Sequence, residues 1–175
     1  MAVFQKIREF FTPPEPAPEI IAAPETTYEI RSLTDKYLDE LLQLNQRCFK
    51  KGENYTKYTF SFLLSDPKTL SYRIAAPTEQ IVAFIFVMIG DEGAGHITTI
   101  GVAPEHRRRG LARKLLVHTE EALKKRAVNT VFLEVRVENA AAQMLYRRLG
   151  YAIVQRLSKY YNNGGDGFLM VKSLF

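Results

Sequence analysis

Three stretches rich in β-branched and aromatic residues, at 69–76, 80–90 and 94–103, follow one another along the chain. Turn-forming residues separate them, first Pro77-Thr78 and then the segment from Asp91 to Gly95. The most apolar run, Ile81 to Ile89, has nine residues and predicts a buried strand, because a membrane helix needs roughly 20. Strands joined by such short turns restrict the chain to a strand-rich fold.

The rest of the sequence alternates strand and helix patterns. A strand at 28–33 precedes a helix that extends to about residue 47, for which Thr34 and Asp35 are the expected caps. Further helices are predicted at 56–64, 109–127 and 140–149, and further strands at 131–137, 151–159 and 167–173. The chain is thus predicted to be an α/β (α+β) protein.

The first 25 residues differ in composition from the rest. Residues 12–24 contain five of the eight prolines and predict an extended linker. Before them, apolar residues at roughly helical spacing predict an amphipathic arm that packs on the domain or a partner, with a membrane-surface anchor as the alternative: Val3, Phe4, Ile7, Phe10 and Phe11. We therefore divide the chain into an N-terminal arm with a proline-rich linker at 1–25 and one domain at 26–175.

Composition narrows the possible partners. Cys48 is the only cysteine, which excludes an internal disulfide and favours a reducing compartment, so a cytoplasmic location is expected. The start of the chain lacks the uninterrupted apolar segment of a secretory signal. His96, His106 and His118 are scattered, and we expect no metal. The net charge of +5 favours an anionic partner without choosing between nucleic acid, acidic protein and a phosphorylated cofactor.

The segment ITTIGVAPEHRRRGLA, residues 97–112, combines a strand, a short basic loop and the start of a helix. Helix N-termini bind phosphate readily, because their N–H groups are unpaired and the dipole is positive there. Gly110 and the small Ala112 would let a phosphate approach the backbone closely. Positive charge comes from three consecutive residues, Arg107, Arg108 and Arg109. The segment predicts a phosphate site, with a solvated basic turn as the alternative.

Gly101 lies inside the strand before this loop and predicts a β-bulge or a close approach of the backbone. The spacing V-x-P-x-x-R-x-x-G-x-A, which begins at Val102 and ends at Ala112, resembles the acetyl-CoA pyrophosphate loop of GNAT acetyltransferases. The resemblance implies acetyl-CoA as the co-substrate. It implies that the pantetheine arm pairs with Ile100, Gly101 and Val102, and that the Val102 N–H polarises the acetyl carbonyl. The pyrophosphate would bind backbone N–H groups of residues 108–113, namely Arg108, Arg109, Gly110, Leu111, Ala112 and Arg113, with Arg107 beside them.

The block LEVRVENAAAQMLYRRLGY, residues 133–151, places a strand before a helix. Two-residue alternation puts Glu134 and Arg136 on the face opposite the apolar residues of the strand. Asn139 is a natural N-cap, and Tyr146 lies two turns into the helix. Taken alone, Glu134 is also explained as a solvated strand residue, Asn139 as a cap only and Tyr146 as a core residue.

The same block is similar to RimI-type ribosomal-protein-alanine N-acetyltransferases and related N-terminal acetyltransferases. The resemblance implies that Glu134 is the general base, acting through water, and that Tyr146 donates a proton to the leaving thiolate. It also implies that Asn139 and Tyr146 contact the cofactor. The chemistry agrees, because an α-amine has a pKa near 8 and a carboxylate can deprotonate it through water without an extreme pKa shift.

The residues E-N-Y at 53–55 resemble the PENY loop of archaeal and eukaryotic N-terminal acetyltransferases, with Gly52 in place of the usual proline. In those relatives the loop lines the peptide entrance, and its glutamate contacts the substrate N-terminus. Tyr160 and Tyr161 resemble the tyrosine pair near the end of the same proteins. The resemblance implies that Glu53, Tyr55, Tyr160 and Tyr161 bind the substrate and that Glu53 is also catalytic. An ordinary polar turn is the alternative for 53–55.

Together these resemblances cover about residues 27–174 and imply a GNAT fold: a mixed, mostly antiparallel central sheet of about six to seven strands with four main helices. The implied activity is direct transfer of acetyl to the N-terminal α-amine of a protein, with a ribosomal protein as one possible substrate. A GNAT that acetylates lysine or a small amine is the alternative within the enzyme class. A basic nucleic-acid-binding module is the alternative from another class, although the arginine triplet at 107–109 lies at one helix start rather than along a broad basic face. We expect no nucleic acid and no membrane span.

Overall fold

The computed structural model describes residues 27–49 and 54–175. The predicted arm and linker at 1–25 and the predicted substrate residue Glu53 lie outside these residues. In the described ranges the chain forms seven strands and four α-helices. None of the helices in those ranges is both long and apolar enough to cross a membrane.

The elements follow the predicted order closely. The strands are β1 Glu29–Ser32, β2 Thr69–Ala75, β3 Ile81–Ile89, β4 Ala94–Val102, β5 Thr130–Arg136, β6 Ala152–Leu157 and β7 Gly167–Ser173. The helices are α1 Leu38–Cys48, α2 Lys57–Ser65, α3 Leu111–Lys124 and α4 Ala140–Arg148. Short 3-10 turns at Asp35–Tyr37 and Pro104–His106 precede α1 and α3.

A side-chain cap explains where α2 begins, but not where α1 begins. Thr56, the predicted start of this helix, is the N-cap residue of α2, and its side-chain oxygen accepts a hydrogen bond from the Thr59 N–H at 3.2 Å. The prediction for Thr34 and Asp35 was wrong, because Asp35 already belongs to the 3-10 turn and the Thr34 side chain makes no cap hydrogen bond within the described part of the chain. As a result α1 begins three residues later, at Leu38.

All seven strands lie in one sheet, in the order β1-β2-β3-β4-β5-β7-β6. Neighbouring strands run antiparallel except β4 and β5, which are parallel and connected by the crossover through α3. The predicted mixed, mostly antiparallel sheet of six to seven strands is thereby confirmed.

The core lies on both faces of β3, in which every residue from Ile81 to Val87 is buried. On one face Phe60 of α2 packs on Phe84 and Phe86, with ring centroids 6.1 and 5.4 Å apart. On the other face α3 covers the sheet, and its His118 packs edge-on against Tyr72 of β2. A strand buried on both faces reads as a continuous apolar run rather than as an alternation, which is the pattern of 81–89.

Candidate active site

The centre of the sheet opens where β4 and β5 separate. The two strands pair through Ala94, Gly95 and His96, which lie beside Thr130, Val131 and Phe132. Beyond His96, β4 continues to Val102 and β5 to Arg136. Among the residues that the structure describes, each pairs there only on its outer side, with β3 and β7. The result is a cleft between the two strands, with its closed end at His96.

One edge of β4 faces this cleft with its backbone groups. The Ala103 N–H donates to the Val82 carbonyl at 2.8 Å, so residues 101 and 103 direct their N–H groups toward β3. Because this direction alternates along an antiparallel strand, the N–H groups of Ile100 and Val102 face the cleft. They are donors for a ligand that lies along β4.

The predicted close approach at Gly101 is present, and the group that approaches the Gly101 backbone is the side chain of Phe84. A Cβ at this position would lie 2.6 Å from Cε1 of Phe84 and 3.1 Å from Sγ of Cys48. The bulge that was the other prediction lies three residues earlier, because the register skips Thr98 between the pairs formed by Ile97 and Thr99. Glycine therefore lets the Phe84 ring pack against the floor of the cleft.

The predicted phosphate loop leads into α3. Gly110 is the N-cap residue, with a φ of +77°, and no side chain from the described ranges caps the helix. A Cβ at Gly110 would meet no described atom within 4 Å, so the space around it is open. Arg108 precedes it with a φ of +63°, also in the left-handed region. Leu111 is buried in the core and anchors the first turn of α3, where the backbone N–H groups have no partner within the helix.

Two of the three arginines hold the loop in place with their side chains. Arg107 donates through Nε to the Val102 carbonyl at 3.1 Å and so ties the loop to the end of β4. Arg109 donates to the Tyr28 hydroxyl at 2.9 Å, and that hydroxyl lies 2.9 Å from Nδ1 of His106. The basic loop is thus braced from β4 and from the chain before β1, while Arg113 and Ala112 follow in the first turn of α3.

Glu134 lies just beyond the closed end of the cleft, two residues after Phe132. Its Oε2 is 2.7 Å from Nε2 of His96. The imidazole stacks on the Phe132 ring, with centroids 4.5 Å apart and planes within 6°. Both side chains are partly exposed, His96 at 32% and Glu134 at 17%, so a substrate amine or a water molecule can reach the pair.

Tyr55, in the segment before α2, places its hydroxyl beside β4 and near Glu134. Its hydroxyl donates to the Thr98 carbonyl at 2.9 Å, and its ring packs on Phe60. The buried Asn45 of α1 donates to the Tyr55 carbonyl at 3.4 Å. Burial, assisted by the negative charge of Glu134, raises the pKa of the Tyr55 phenol, so it remains a hydrogen-bond donor.

Tyr160 approaches Glu134 from the loop between β6 and β7. Its side chain is 47% exposed. Burial, then the negative charge of Glu134 and the nearby Tyr55 phenol, raise the pKa of Tyr160. Tyr161 packs edge-on against Tyr160 with centroids 5.1 Å apart, and the Arg136 guanidinium covers its ring at 4.0 Å. The structure therefore brings Glu134, Tyr55 and Tyr160 together, with Tyr161 behind them.

Tyr146 belongs to a different group of side chains. It is 6% exposed and packs on Tyr151, whose hydroxyl donates to Glu120 at 2.9 Å. Burial raises the pKa of Tyr146 to about 12. Asn139 caps α4 as predicted, since its Oδ1 accepts from the Ala142 N–H at 3.1 Å. The cofactor-binding roles implied for Tyr146 and Asn139 stay predictions.

His96 is the residue that the sequence analysis missed, because it was considered only as a metal ligand. In the described ranges no group of three or more His, Cys, Asp or Glu side chains forms a metal-binding cluster. The nearness of His96 to Glu134 follows only from the parallel register of β4 and β5, which places His96 beside Phe132. A polar residue in the predicted strand, four positions before Ile100, was the available signal.

A sequence profile described as the Acetyltransferase (GNAT) family matches residues 38–151. The chain belongs to the GNAT acetyltransferase family. The predicted family and activity class are thereby confirmed, and the acetyl donor of this GNAT acetyltransferase is acetyl-CoA.

Relatives of this GNAT acetyltransferase are known from several organisms. It is 30% identical over 137 residues to a Schizosaccharomyces pombe protein named N-alpha-acetyltransferase 30, covering 76% of this chain and 89% of the relative. This chain is also 35% identical over 145 residues to the N-alpha-acetyltransferase daf-31 of Caenorhabditis elegans. That alignment covers 78% of this chain and 79% of the relative. The solved ribosomal-protein-S18-alanine N-acetyltransferase of Escherichia coli superposes with a TM-score of 0.76 at 28% identity, covering 85% of this chain and 94% of that one.

The residues of the cleft fit acetyl-CoA. A pyrophosphate needs unpaired N–H groups and room beside the backbone, and the start of α3 at Gly110 offers both. A pantetheine arm carries amides that pair with strand-like backbone, and the N–H groups of Ile100 and Val102 face the cleft. The donor set therefore matches the two polar parts of the co-substrate.

Proposed function

We propose that this protein transfers acetyl from acetyl-CoA to the α-amine at the N-terminus of a protein. The observation that carries this proposal is the His96–Glu134 pair at the closed end of the cleft, next to the phenols of Tyr55 and Tyr160. The fission-yeast and nematode relatives, both named N-alpha-acetyltransferases, support the same reaction.

Acetyl-CoA supplies the acetyl group as a thioester. The N–H groups of residues 108–113 would hold its pyrophosphate at the start of α3. The cleft-facing groups of Ile100 and Val102 would hold its pantetheine arm, along the strand that contains Gly101, and Asn139 would contact that arm from α4. The Val102 N–H is the donor that we expect to polarise the acetyl carbonyl.

Glu134 is the proposed base. At neutral pH about a tenth of an α-amine with a pKa near 8 is already uncharged, whereas far less of a lysine with a pKa near 10.4 is. The carboxylate can take the proton directly or through one water, and His96 fixes its orientation. A carboxylate base therefore deprotonates an α-amine more easily than a lysine side chain, because the α-amine has the lower pKa.

The proposed step is a direct attack that needs no Ser or Cys nucleophile. The amine nitrogen bonds to the acetyl carbon, and the carbon–sulfur bond breaks. One amine proton passes to Glu134, and Tyr146 gives its phenolic proton to the sulfur. Because burial raises the pKa of Tyr146 to about 12, the phenol is protonated at neutral pH and available as an acid.

The tyrosines near Glu134 form the proposed substrate site. Tyr55 and Tyr160 lie close enough to Glu134 for its charge to raise the pKa of both phenols, and Tyr161 supports Tyr160. A peptide end held between them would have its amine beside the base, which lowers the entropic cost of attack. Glu53 is retained as a substrate-contacting and catalytic residue on its resemblance alone.

A ribosomal protein is one candidate substrate, because the Escherichia coli neighbour acts on ribosomal protein S18. The single cysteine in the sequence, Cys48, fits a reducing compartment, and we propose the cytoplasm as the location.

A panel of short peptides that differ only in their first residue tests the proposal, with CoA release as the readout. An α-amine can reach Glu134 only if the first side chain also enters the site, so kcat/KM should depend strongly on the first residue, with Ala or Ser among the accepted ones. Rates that are independent of the first residue, or activity on a free polyamine and on no peptide, would contradict it.

A further inference from the structure

The loop between β6 and β7 carries Tyr160 and Tyr161, yet its sequence is poorly suited to holding a shape. It reads SKYYNNGGD over residues 158–166, with two asparagines and two consecutive glycines. Such residues form turns easily and have little side-chain surface to pack. A peptide site with defined geometry therefore needs support for this loop from outside it.

Arg136 of β5 provides a contact from beneath the loop. Its side chain is largely buried, and both Nη1 and Nη2 donate to Oδ1 of Asn163 at 3.2 Å. Its guanidinium carbon also lies 4.0 Å from the centre of the Tyr161 ring, within cation–π range. One planar group thus contacts the loop at two of its nine residues, 158–166.

The loop backbone closes directly over this guanidinium. A Cβ at Gly165 would lie 2.5 Å from Nη1 of Arg136, and 3.2 Å from Oδ1 of Asn163. The Gly165 N–H donates to the same Asn163 oxygen at 3.1 Å, and the Gly165 carbonyl accepts from the Tyr161 N–H at 3.0 Å. A side chain at this position would therefore force the guanidinium to move.

The outer side of the loop is held by Asp166. Its carboxylate accepts from the Lys159 N–H at 2.9 Å and from Arg156 at 2.8 Å, and these hydrogen bonds lower the pKa of Asp166. Its carbonyl accepts from the Val137 N–H at 3.0 Å. Lys159 and Asp166, near the two ends of the loop, are therefore hydrogen-bonded to each other. As a result, a shift of Arg136 would move the loop as one piece.

Burying a guanidinium is costly unless it is paired and hydrogen-bonded. Besides the loop contacts of Arg136, its Nη1 lies 3.9 Å from the exposed Glu138 carboxylate. Arg136 follows Glu134 by two residues, so both side chains lie on the same face of β5. The contacts run from Arg136 to Tyr161, from Tyr161 to Tyr160, and from Tyr160 to the charge of Glu134. The arginine is thus placed to set the distance between the loop and the base.

We propose that Arg136 is a positioning residue that fixes the β6–β7 loop and thereby aligns the peptide subsite with Glu134. This inference rests on the proposed N-terminal acetylation for its effect on substrate, while its effect on the loop itself does not depend on the substrate.

Kinetics with an accepted peptide give the first test. Arg136→Lys keeps the charge but loses the planar contacts to Asn163 and Tyr161, so we expect the peptide KM to rise by about tenfold with unchanged acetyl-CoA affinity. Gly165→Ala should have a similar effect, since it displaces the guanidinium without removing it. Asn163→Ala should raise the peptide KM by a smaller factor, because it removes the Asn163 contact and keeps the Tyr161 contact. Asn162→Ala, a substitution at the exposed neighbouring residue, is the control and should leave KM at the wild-type value.

A double-variant cycle tests the contact itself. In an Arg136→Ala background the methyl group of Gly165→Ala meets no guanidinium, so it should add little to the KM effect. Independent, multiplied effects of the two substitutions would overturn the proposal.

Hydrogen exchange of residues 158–166, followed by mass spectrometry, separates this inference from the proposed function. Arg136→Lys and Gly165→Ala should exchange faster in this segment and equally in α3, while Asn162→Ala should match the wild type. If the wild type acetylates no peptide α-amine but these variants still exchange faster, the proposed function fails and the loop inference stands. If peptides are acetylated, and both the KM and the exchange of Arg136→Lys equal those of the wild type, the inference is overturned.

Discussion

His96 of β4 and Glu134 of β5 meet at the point where the two strands part, with Nε2 of the imidazole 2.7 Å from Oε2 of the carboxylate. The imidazole is also stacked on Phe132, its neighbour in the parallel register. Packing therefore fixes the ring, and the ring fixes the carboxylate. The pair gives the proposed base a defined orientation at the closed end of the cleft.

Replacing Glu134 by Gln keeps the size of the side chain and removes the base. We expect kcat to fall by about 10²–10⁴-fold, the usual contribution of a positioned acid or base, with unchanged acetyl-CoA affinity. Steady-state kinetics and calorimetry measure the two quantities. His96→Asn should cost less, and the double variant should lose little more than Glu134→Gln alone, because the two residues act as one unit. Independent losses would contradict the pairing.

Tyr146→Phe tests the proposed proton donor. The ring keeps its packing on Tyr151 while the phenolic proton is lost, so turnover should fall by about 10²–10⁴-fold and acetyl-CoA binding should change little. Rapid-quench or steady-state turnover, compared with calorimetry, checks this. Full activity of the phenylalanine variant would leave Tyr146 as a core residue.

The same variant has a stability consequence at alkaline pH. Burial raises the pKa of Tyr146 to about 12, above that of an exposed tyrosine. As the pH rises past 10, the unfolded chain loses this proton before the folded chain does, so the free energy of unfolding falls. Between pH 9 and 11 the wild type should lose about 1 kcal/mol more than Tyr146→Phe. Urea unfolding at both pH values measures the difference, and parallel losses in the two proteins would contradict it.

The Gly110 position tests the phosphate loop. Gly110→Ala and Gly110→Glu share the same backbone strain, about 1–2 kcal/mol for a side chain in the left-handed region, and neither meets a described atom at Cβ. The glutamate adds a negative charge where the pyrophosphate is expected. Acetyl-CoA affinity by calorimetry should therefore be abolished in Gly110→Glu and largely kept in Gly110→Ala. Equal affinities would remove the assignment.

Much of the fold was predictable because local signals mark its boundaries. The β3 strand at Ile81–Ile89 follows the apolar run, and Thr56 and Asn139 cap the helices that they were expected to begin. The start of α1 was not predictable in the same way, because a 3-10 turn at Asp35–Tyr37 uses residues that resemble helix caps. A side chain able to cap does not decide which helix type follows.

Sequence could predict only those residues of the candidate site that belong to a continuous motif. Glu134 and the loop at Gly110 stand out in continuous motifs, whereas His96 acquires its role from the register between two strands that are distant in sequence. The bulge at Thr98 likewise results from the pairing of β3 with β4. The contact of Arg136 with the β6–β7 loop depends on the space above Gly165, which no sequence pattern shows.

The site of acetylation on a peptide that has both a free α-amine and an internal lysine tests the central claim most directly. After incubation with acetyl-CoA, tandem mass spectrometry locates the acetyl group, with the N-formylated form of the same peptide as the control. We predict acetyl on the α-amine of the free peptide and none on the formylated one. Acetyl found only on the lysine, at equal rates in both peptides, would contradict N-terminal acetylation.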